Sequence, residues 1–237
     1  MRYEKKLTQD LSLLIKIAIM LMVGLFLMIA QAANAQHMII DDAAVTTERS
    51  FQIETWAGTE EAIFQPAFAV TEWLELTTGL AFDTSGDFEF AGFFAELKAV
   101  NRDVEEFGSA VGLVAAFGFS DGGDFEEFMA YVPYSRLILG GSSMLHLNAG
   151  FTLADDGEDW EFSPIYGIRG DFGLHDRVSV LAEIFAENTD FGLNGGLRLG
   201  LIPGLLELDI TYGRGFESGF DFPGLNIGIA FTPDSLW

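Results

Sequence analysis

The stretch FGLNGGLRLGLIPGLLELDITY, residues 191–212, decides the fold class because two runs with a period of two flank a Pro-Gly turn. In residues 191–201 large apolar side chains alternate with glycine, asparagine and arginine, and in residues 206–212 they alternate with glutamate, aspartate and threonine. Successive side chains of a strand point to opposite faces. The pattern therefore predicts two antiparallel strands, each with one face toward lipid and one toward an enclosed polar interior.

The same alternation recurs along the chain after residue 49. It predicts about twelve strands, near residues 50–58, 62–70, 73–83, 88–99, 106–119, 127–138, 143–153, 161–173, 177–187, 191–201, 205–214 and 222–232. Short turns alternate with acidic, glycine-rich connections, as expected when the two kinds lie on opposite sides of a membrane. The prediction is all-β: a closed antiparallel transmembrane β-barrel over residues 50–237. A soluble antiparallel sandwich is the alternative, although its turns would lack this two-sided asymmetry.

The N-terminus has the features of an export signal. Basic residues precede an apolar run that ends in Ala33-Asn34-Ala35, which predicts a cleavable signal peptide over residues 1–35. An uncleaved signal anchor is the alternative, because the apolar run is long. Residues 36–49 are predicted to be a short periplasmic N-terminal segment.

Composition limits the partners. The chain has a formal net charge of −24 and no cysteine, with 23 Phe and 27 Gly. So acidic a surface repels nucleic acid, and nucleic-acid binding is excluded as a function. A closed barrel needs no disulfides, since its backbone hydrogen bonds leave no free edge. The alternating strand at residues 225–232 and the terminal Trp237 resemble the element that the barrel assembly machinery reads, so this machinery and outer-membrane lipid are expected partners.

The second half of the chain carries a family resemblance. It reads YGIRGDFGLHDRVSVLAEIFAEN at 166–188, GLNGGLRLGLIPGLLELDITYGRGF at 192–216 and GLNIGIAF at 224–231. These segments resemble outer-membrane β-barrels classed as transporters linked to phenol meta-cleavage degradation pathways, which repeat a "(L/V)TDR" turn before an "LxL" strand. Here the turn appears as residues 174–177, while Trp73 replaces the usual arginine upstream. The resemblance implies a barrel that takes up hydrophobic or aromatic compounds, and no substrate residue carries over from it.

Charged residues on the predicted inner face form a candidate site. If the alternation is right, neighbouring strands carry charges of alternating sign, in a ladder of Arg169, Asp171, Glu183, Arg198, Glu207 and Asp209. Further expected lumen-lining residues are Glu54, Glu75, Glu96, Lys98, His146, Asn148 and Asn194. The ladder either holds adjacent strands together or forms a polar constriction that selects solutes by charge.

The predicted outer connections are rich in Asp and Glu. Asp155, Asp156, Glu158 and Asp159 are weak candidates for a metal site, since their spacing lacks the EF-hand pattern. The run is either a solvated face or a place where loosely bound divalent cations bridge the loops to lipopolysaccharide. No other cofactor is indicated.

The sequence predicts an outer-membrane barrel that passes or binds a small solute. The alternatives are a structural or adhesion-type surface barrel with a plugged lumen, and a barrel-wall hydrolase. The hydrolase would need a nucleophile beside His146, and Ser163 on the next predicted strand is expected at a different depth. No catalytic residue is assigned.

Overall fold

The computed structural model describes residues 38–155, 157, 159–216 and 224–235, and these residues form twelve β-strands. The strands are β1 (Ser50–Gly58), β2 (Glu61–Thr71), β3 (Leu74–Asp83), β4 (Glu89–Val100), β5 (Ser109–Ser120), β6 (Phe125–Ile138), β7 (Ser143–Asp155), β8 (Trp160–His175), β9 (Val178–Glu187), β10 (Asp190–Ile202), β11 (Leu206–Gly215) and β12 (Leu225–Phe231). A short helix, α1 (Val104–Phe107), precedes β5, and a 3₁₀ turn (Leu139–Gly141) follows β6.

The strands close into a barrel. Each pairs antiparallel with its neighbours in sequence, and β1 also pairs with β12, where Ile53 lies opposite Phe231 and Gly58 opposite Asn226. The predicted twelve-stranded closed barrel is confirmed. The sandwich is excluded, because two separate sheets would leave edge strands that this ring of pairings does not have.

The barrel wall separates apolar from polar side chains by alternation. On β10, Leu197 is 45% exposed on the outer wall, whereas the next residue, Arg198, is 9% exposed and turns inward. The same contrast recurs between Ile210 and Asp209 on β11. The outer wall is therefore apolar, as a bilayer requires, and the charged groups face the lumen.

Aromatic side chains gather where the strands meet the predicted outer connections. Ring centroids are 4.9 Å apart for Phe93 and Phe119, and 5.3 Å apart for Phe125 and Trp160. Aromatic girdles of this kind mark the membrane interfaces of outer-membrane barrels. The girdle explains why a chain with this charge also carries so many phenylalanines.

The connections differ in length from the sequence expectation. Two of the predicted outer connections, 59–60 and 188–189, contain only two residues, because the flanking strands extend into them. On the opposite side, residues 101–108 include α1. The Asp103 carboxylate caps this helix by accepting from the amides of Glu105 and Glu106, and Gly108 (φ 75°) ends it, so β5 begins at Ser109 instead of residue 106.

Some sequence predictions concern residues outside the described ranges. These are the signal peptide at 1–35, the first residues of the 36–49 segment, the start of the last strand at 222 and the terminal Trp237. Within the described residues, no helix is long and apolar enough to cross a bilayer.

Candidate functional site: the charged lumen

The structure brings the six ladder residues into the lumen on β8 to β11. Arg169, Glu183, Arg198 and Asp209 are buried, and Asp171 and Glu207 are partly exposed. Strand register explains the grouping, since Arg198 lies directly opposite Asp209 and Arg169 directly opposite Glu183. Directly opposed side chains on one face of an antiparallel pair are close enough to interact.

Arg198 is the centre of this group. Its guanidinium bonds both oxygens of Asp209, with Nε–Oδ1 at 3.0 Å and Nη2–Oδ2 at 2.7 Å. The same guanidinium lies 3.3 Å from a Glu207 oxygen and 3.6 Å from an Asp171 oxygen. One planar cation on β10 thus serves three carboxylates on two other strands, β8 and β11, a geometry that arginine can satisfy and lysine cannot.

Arg169 and Glu183 bind the chain's own N-terminal segment. Arg169 Nη1 donates to the Ile40 carbonyl at 2.6 Å, while its Nε lies 2.9 Å from Asp171 Oδ1. The Glu183 carboxylate accepts from the backbone amides of Ile39 and Ile40, both at 2.9 Å. These contacts fix the backbone of residues 39 and 40 inside the barrel, although the sequence had predicted a periplasmic position for residues 36–49.

Side chains on β4, β6 and β7 bind the next residue of this segment, Asp41. Lys98 Nζ donates to Asp41 Oδ1 at 2.8 Å, and the Tyr131 hydroxyl donates to Asp41 Oδ2 at 3.0 Å. In the amide orientation that satisfies both groups, Asn148 donates to the Asp41 carbonyl at 3.0 Å and accepts from the Asp41 amide at 2.8 Å. Asp41 is therefore bound through both its side chain and its backbone.

Further contacts hold the segment as far as residue 46. The Ala43 amide donates to Ser135 Oγ at 2.7 Å, and the Thr46 amide donates to Glu75 Oε2 at 2.6 Å. Packing adds to these bonds. Ile40 packs on Phe185, and a Cβ at Gly167 would lie 2.2 Å from Ile40 Cδ1, so the glycine leaves room for this side chain. We call residues 38–46 the lumen segment.

The Asp42 carboxyl lies between two cationic side chains of the lumen. Burial by itself would raise the pKa of the Asp42 carboxyl, but the nearby Lys98 and Arg169 outweigh it and hold the pKa below its ordinary value of 3.8. Arg169 Nη2 lies 3.8 Å from Asp42 Oδ2, and Lys98 Nζ lies 3.9 Å from Oδ1. Asp42 is therefore ionised at neutral pH.

The seven further residues predicted to line the lumen all point into it. Glu54, Glu75, Lys98, His146, Asn148 and Asn194 are buried, and Glu96 is partly buried. Their partners are of several kinds. Glu54 accepts from the amides of Gln52 and Gln65, and Asn194 donates to Glu183 at 3.0 Å.

His146 takes part in a structural hydrogen-bond network. Its Nδ1 lies 2.8 Å from Ser135 Oγ, and its Nε2 lies 3.3 Å from Arg169 Nη2. It does not meet Ser163, because His146 lies opposite Arg169 whereas Ser163 lies opposite Thr152, six residues along β8. Ser135 is fully buried and already accepts from Ala43, so the structure gives no support to a hydrolytic site at His146.

The weak metal candidates are only partly described. Asp156 and Glu158 lie outside the described residues, and Asp155 Oδ1 accepts from the Gly157 amide at 2.9 Å in a local turn. Asp159 lies in the same connection. In the part of the chain that the structure describes, no three His, Cys, Asp or Glu side chains converge to hold a metal ion.

A cavity of about 720 Å³ lies beside the lumen segment. Turn residues Glu72, Arg102 and Ser142 line it at one end, and Trp56 lines it higher in the barrel. Among the described residues that line the cavity, eleven are acidic and four are lysine or arginine. The cavity is thus an acidic compartment that reaches the end of the barrel where the short turns lie.

Several functional residues escaped the sequence analysis. Tyr131 and Ser135 lie on the inner face of β6, where they alternate with Ala130, Val132 and Tyr134, so strand periodicity could have identified them. Asp41 carried no such signal, since nothing in its local sequence shows that it will enter the lumen.

Comparison with known proteins supports the fold. The family model described as Uncharacterised conserved protein UCP029691 matches residues 21–220. No curated protein matches the chain in sequence. Among solved structures, the KdgM porin in complex with disordered oligogalacturonate has a TM-score of 0.59 at 7% identity, covering 77% of this chain and 98% of that one.

Two further structures are similar. An outer membrane channel from Pseudomonas putida F1 has a TM-score of 0.57 at 9% identity, covering 82% of this chain and 99% of that one. The NanC porin has a TM-score of 0.51 at 10% identity, covering 77% and 98% respectively. At such identities the likeness concerns the fold. With the apolar outer wall and the aromatic girdle, it identifies an outer-membrane barrel.

Proposed function

The chain belongs to the family described as Uncharacterised conserved protein UCP029691. We propose that it is an outer-membrane channel for small solutes, with a constriction formed by its own N-terminal residues. The observation that carries the proposal is the acidic cavity of about 720 Å³ inside a closed barrel. The three solved structures with a similar fold are a channel and two porins. A barrel with only a structural role is expected to have an interior filled by side chains, without a cavity of this size.

The lumen segment is the proposed constriction. It crosses the interior between Glu183 on β9 and Glu75 on β3, so a solute must pass beside it or displace it. Its anchors are hydrogen bonds and ion pairs, which exchange with water more readily than a packed apolar plug would. Passage would then depend on how firmly the segment is held.

The cavity wall favours a polar solute over an apolar one. The sequence resemblance implied hydrophobic or aromatic compounds, but the wall of this cavity carries eleven carboxylates among its described lining residues. Transfer of an apolar molecule into such a compartment gains little, because the wall retains its water. Small hydrophilic solutes are the better match.

The acidic outer connections are a proposed contact with lipopolysaccharide. Exposed acidic residues at the outer connections include Glu60, Asp87 and Glu126. Divalent cations held loosely there would link the loops to the phosphates of lipopolysaccharide. Binding by the barrel assembly machinery remains an expectation from the C-terminal strand.

Single-channel recording in planar bilayers tests the proposal. We expect a small conductance for the full chain and a larger one for a variant lacking residues 38–46, because the deletion removes the constriction and leaves the wall intact. The second candidate function, a structural barrel with a plugged lumen, is favoured by the same threaded segment. Folded protein that conducts in neither form would establish that alternative and reject the channel.

A further inference from the structure

Three carboxylates face the cavity from β1, β3 and β4, on one side of the barrel. Glu54 projects from β1, Glu75 from β3 and Glu96 from β4, and all three line the cavity. Register keeps the last two together, since Glu75 lies opposite Lys98 and Glu96 opposite Thr77. The three side chains form what we call the acidic wall.

The acidic wall has more carboxylates than nearby cations. Its hydrogen-bond partners are neutral: Gln52 and Gln65 for Glu54, the Thr46 amide and the Thr77 hydroxyl for Glu75, and the Tyr131 hydroxyl for Glu96. Lys98 lies opposite Glu75, and its charge acts on all three carboxylates. Lys98 is committed to Asp41, with its Nζ 2.7 Å from Oδ2. Among the described residues no Lys or Arg nitrogen lies within 4.0 Å of the acidic wall.

A buried carboxylate without a full counter-charge is costly, so it either takes up a proton or pairs with a cation. A positive ligand could therefore supply the counter-charge that the acidic wall does not receive in full from Lys98.

A second, independent observation points to a ligand at the same place. Thr46 lines the cavity with 6% of its surface exposed, and its hydroxyl has no hydrogen-bond partner. Buried hydroxyls are usually bonded, so an unpartnered one beside a cavity suggests a group that would complete it. The Thr46 amide already bonds Glu75, which keeps the hydroxyl next to the acidic wall.

The geometry favours an organic cation over a metal ion. The described carboxylates do not converge into a group that could hold a metal, whereas the cavity of about 720 Å³ has room for a molecule. Trp56 and Tyr131 also line it, and aromatic faces attract ammonium and guanidinium groups.

We propose that the acidic wall binds a small organic cation with an ammonium or guanidinium group, contacted by Glu54, Glu75 and Glu96. The inference rests on the proposed function, because it names the class of solute that the lumen receives. It concerns binding, so it can be tested separately from passage.

The probe is agmatine, which carries both a guanidinium and an ammonium group. Titration into the folded full-length barrel is followed by calorimetry and by tryptophan fluorescence, with succinate as an anionic control of similar length. We expect saturable binding of agmatine, no binding of succinate, and loss of the fluorescence change in Trp56→Phe. Equal binding of both probes, or none of agmatine, would overturn the proposal.

Variants locate the site. Glu54→Gln alone should weaken agmatine binding about tenfold, as the loss of one charge-assisted contact implies. The triple variant E54Q/E75Q/E96Q should abolish it. The control E106Q/D176N/D234N makes the same charge change at exposed residues outside both the cavity and the outer connections, and should bind like the wild type.

If the control loses binding as strongly as the acidic-wall variants, the effect is one of net charge and the site is disproved. Because Glu54→Gln replaces a carboxylate whose neighbours are amides, it tests the site even if the triple variant does not fold. Agmatine binding without conductance would reject the channel and keep the site, whereas conductance without binding would do the reverse.

Discussion

Replacement of Arg198 by methionine should strongly destabilise the barrel. Methionine keeps the unbranched stem and removes the guanidinium that bonds both oxygens of Asp209. Asp209 is fully buried, so water cannot replace the lost partner. Asp171 and Glu207 have side chains that are 16% and 17% exposed, and they can recover part of their hydration.

The expected loss follows from this difference. Removal of one member of a buried ion pair costs about 3–5 kcal/mol, because the remaining charge stays desolvated. The R198M/D209N double variant removes both charges. Its loss should be smaller than the sum of the two single losses by roughly 0.5–3 kcal/mol, the range found for residues in contact.

The assay is urea unfolding of the folded barrel in detergent micelles, followed by tryptophan fluorescence. Arg102→Met is the matched control, since Arg102 is exposed and has local contacts, with hydrogen bonds to Ser109 and the Phe107 ring 5.7 Å away; its effect should stay below about 1 kcal/mol. If R198M lost no more than R102M, or if the double variant were simply additive, the ladder would not be a stabilising network and the reasoning would fail.

Three further predictions concern the lumen segment and the strands that surround it. Glu183→Gln leaves one of two bound backbone amides without an acceptor, so hydrogen exchange in residues 38–46 should become about tenfold faster; unchanged protection would contradict the anchor. Gly150→Val places a Cβ 2.5 Å from that of Tyr131, which should cost about 1–3 kcal/mol of unfolding free energy in urea; wild-type stability would refute this crowding. Because the pKa of Asp42 is lower in the fold than in the unfolded chain, its contribution is complete above about pH 4 and is lost as the pH falls through the lowered pKa. The protection factors of the segment's amides, which correct for the slower intrinsic exchange at low pH, should therefore fall at acid pH in the wild type and less so in Asp42→Asn.

The sequence allowed the barrel and much of its lumen to be predicted, because strand periodicity is a local property. Arg198 and Asp209 could be assigned to one face from alternation alone, and the short Pro-Gly turn between their strands made them neighbours. The same reasoning placed Glu54, Glu75 and Glu96 inside the barrel. Their register across strands needed the structure.

The lumen segment could not be predicted, since its position depends on contacts between residues far apart in the chain. The amide of Ile40 meets a carboxylate 143 residues away, and Asp41 meets Lys98 57 residues away. Residues 38–46 have no strand periodicity, and the local sequence of so short a stretch does not show whether it stays outside the barrel or enters the lumen. Helix α1 was missed for a related reason, because its single turn depends on the cap at Asp103.

The most direct test of the whole account is the reversal potential of the variant lacking residues 38–46, measured across a bilayer with a potassium chloride gradient. If ions cross through the lumen described above, they pass its excess of carboxylates, and the potential should have the sign of potassium selectivity. That potential should shrink in the same variant carrying E54Q/E75Q/E96Q. A potential near zero, or one of the sign for chloride, would show that this lumen is not the conduit.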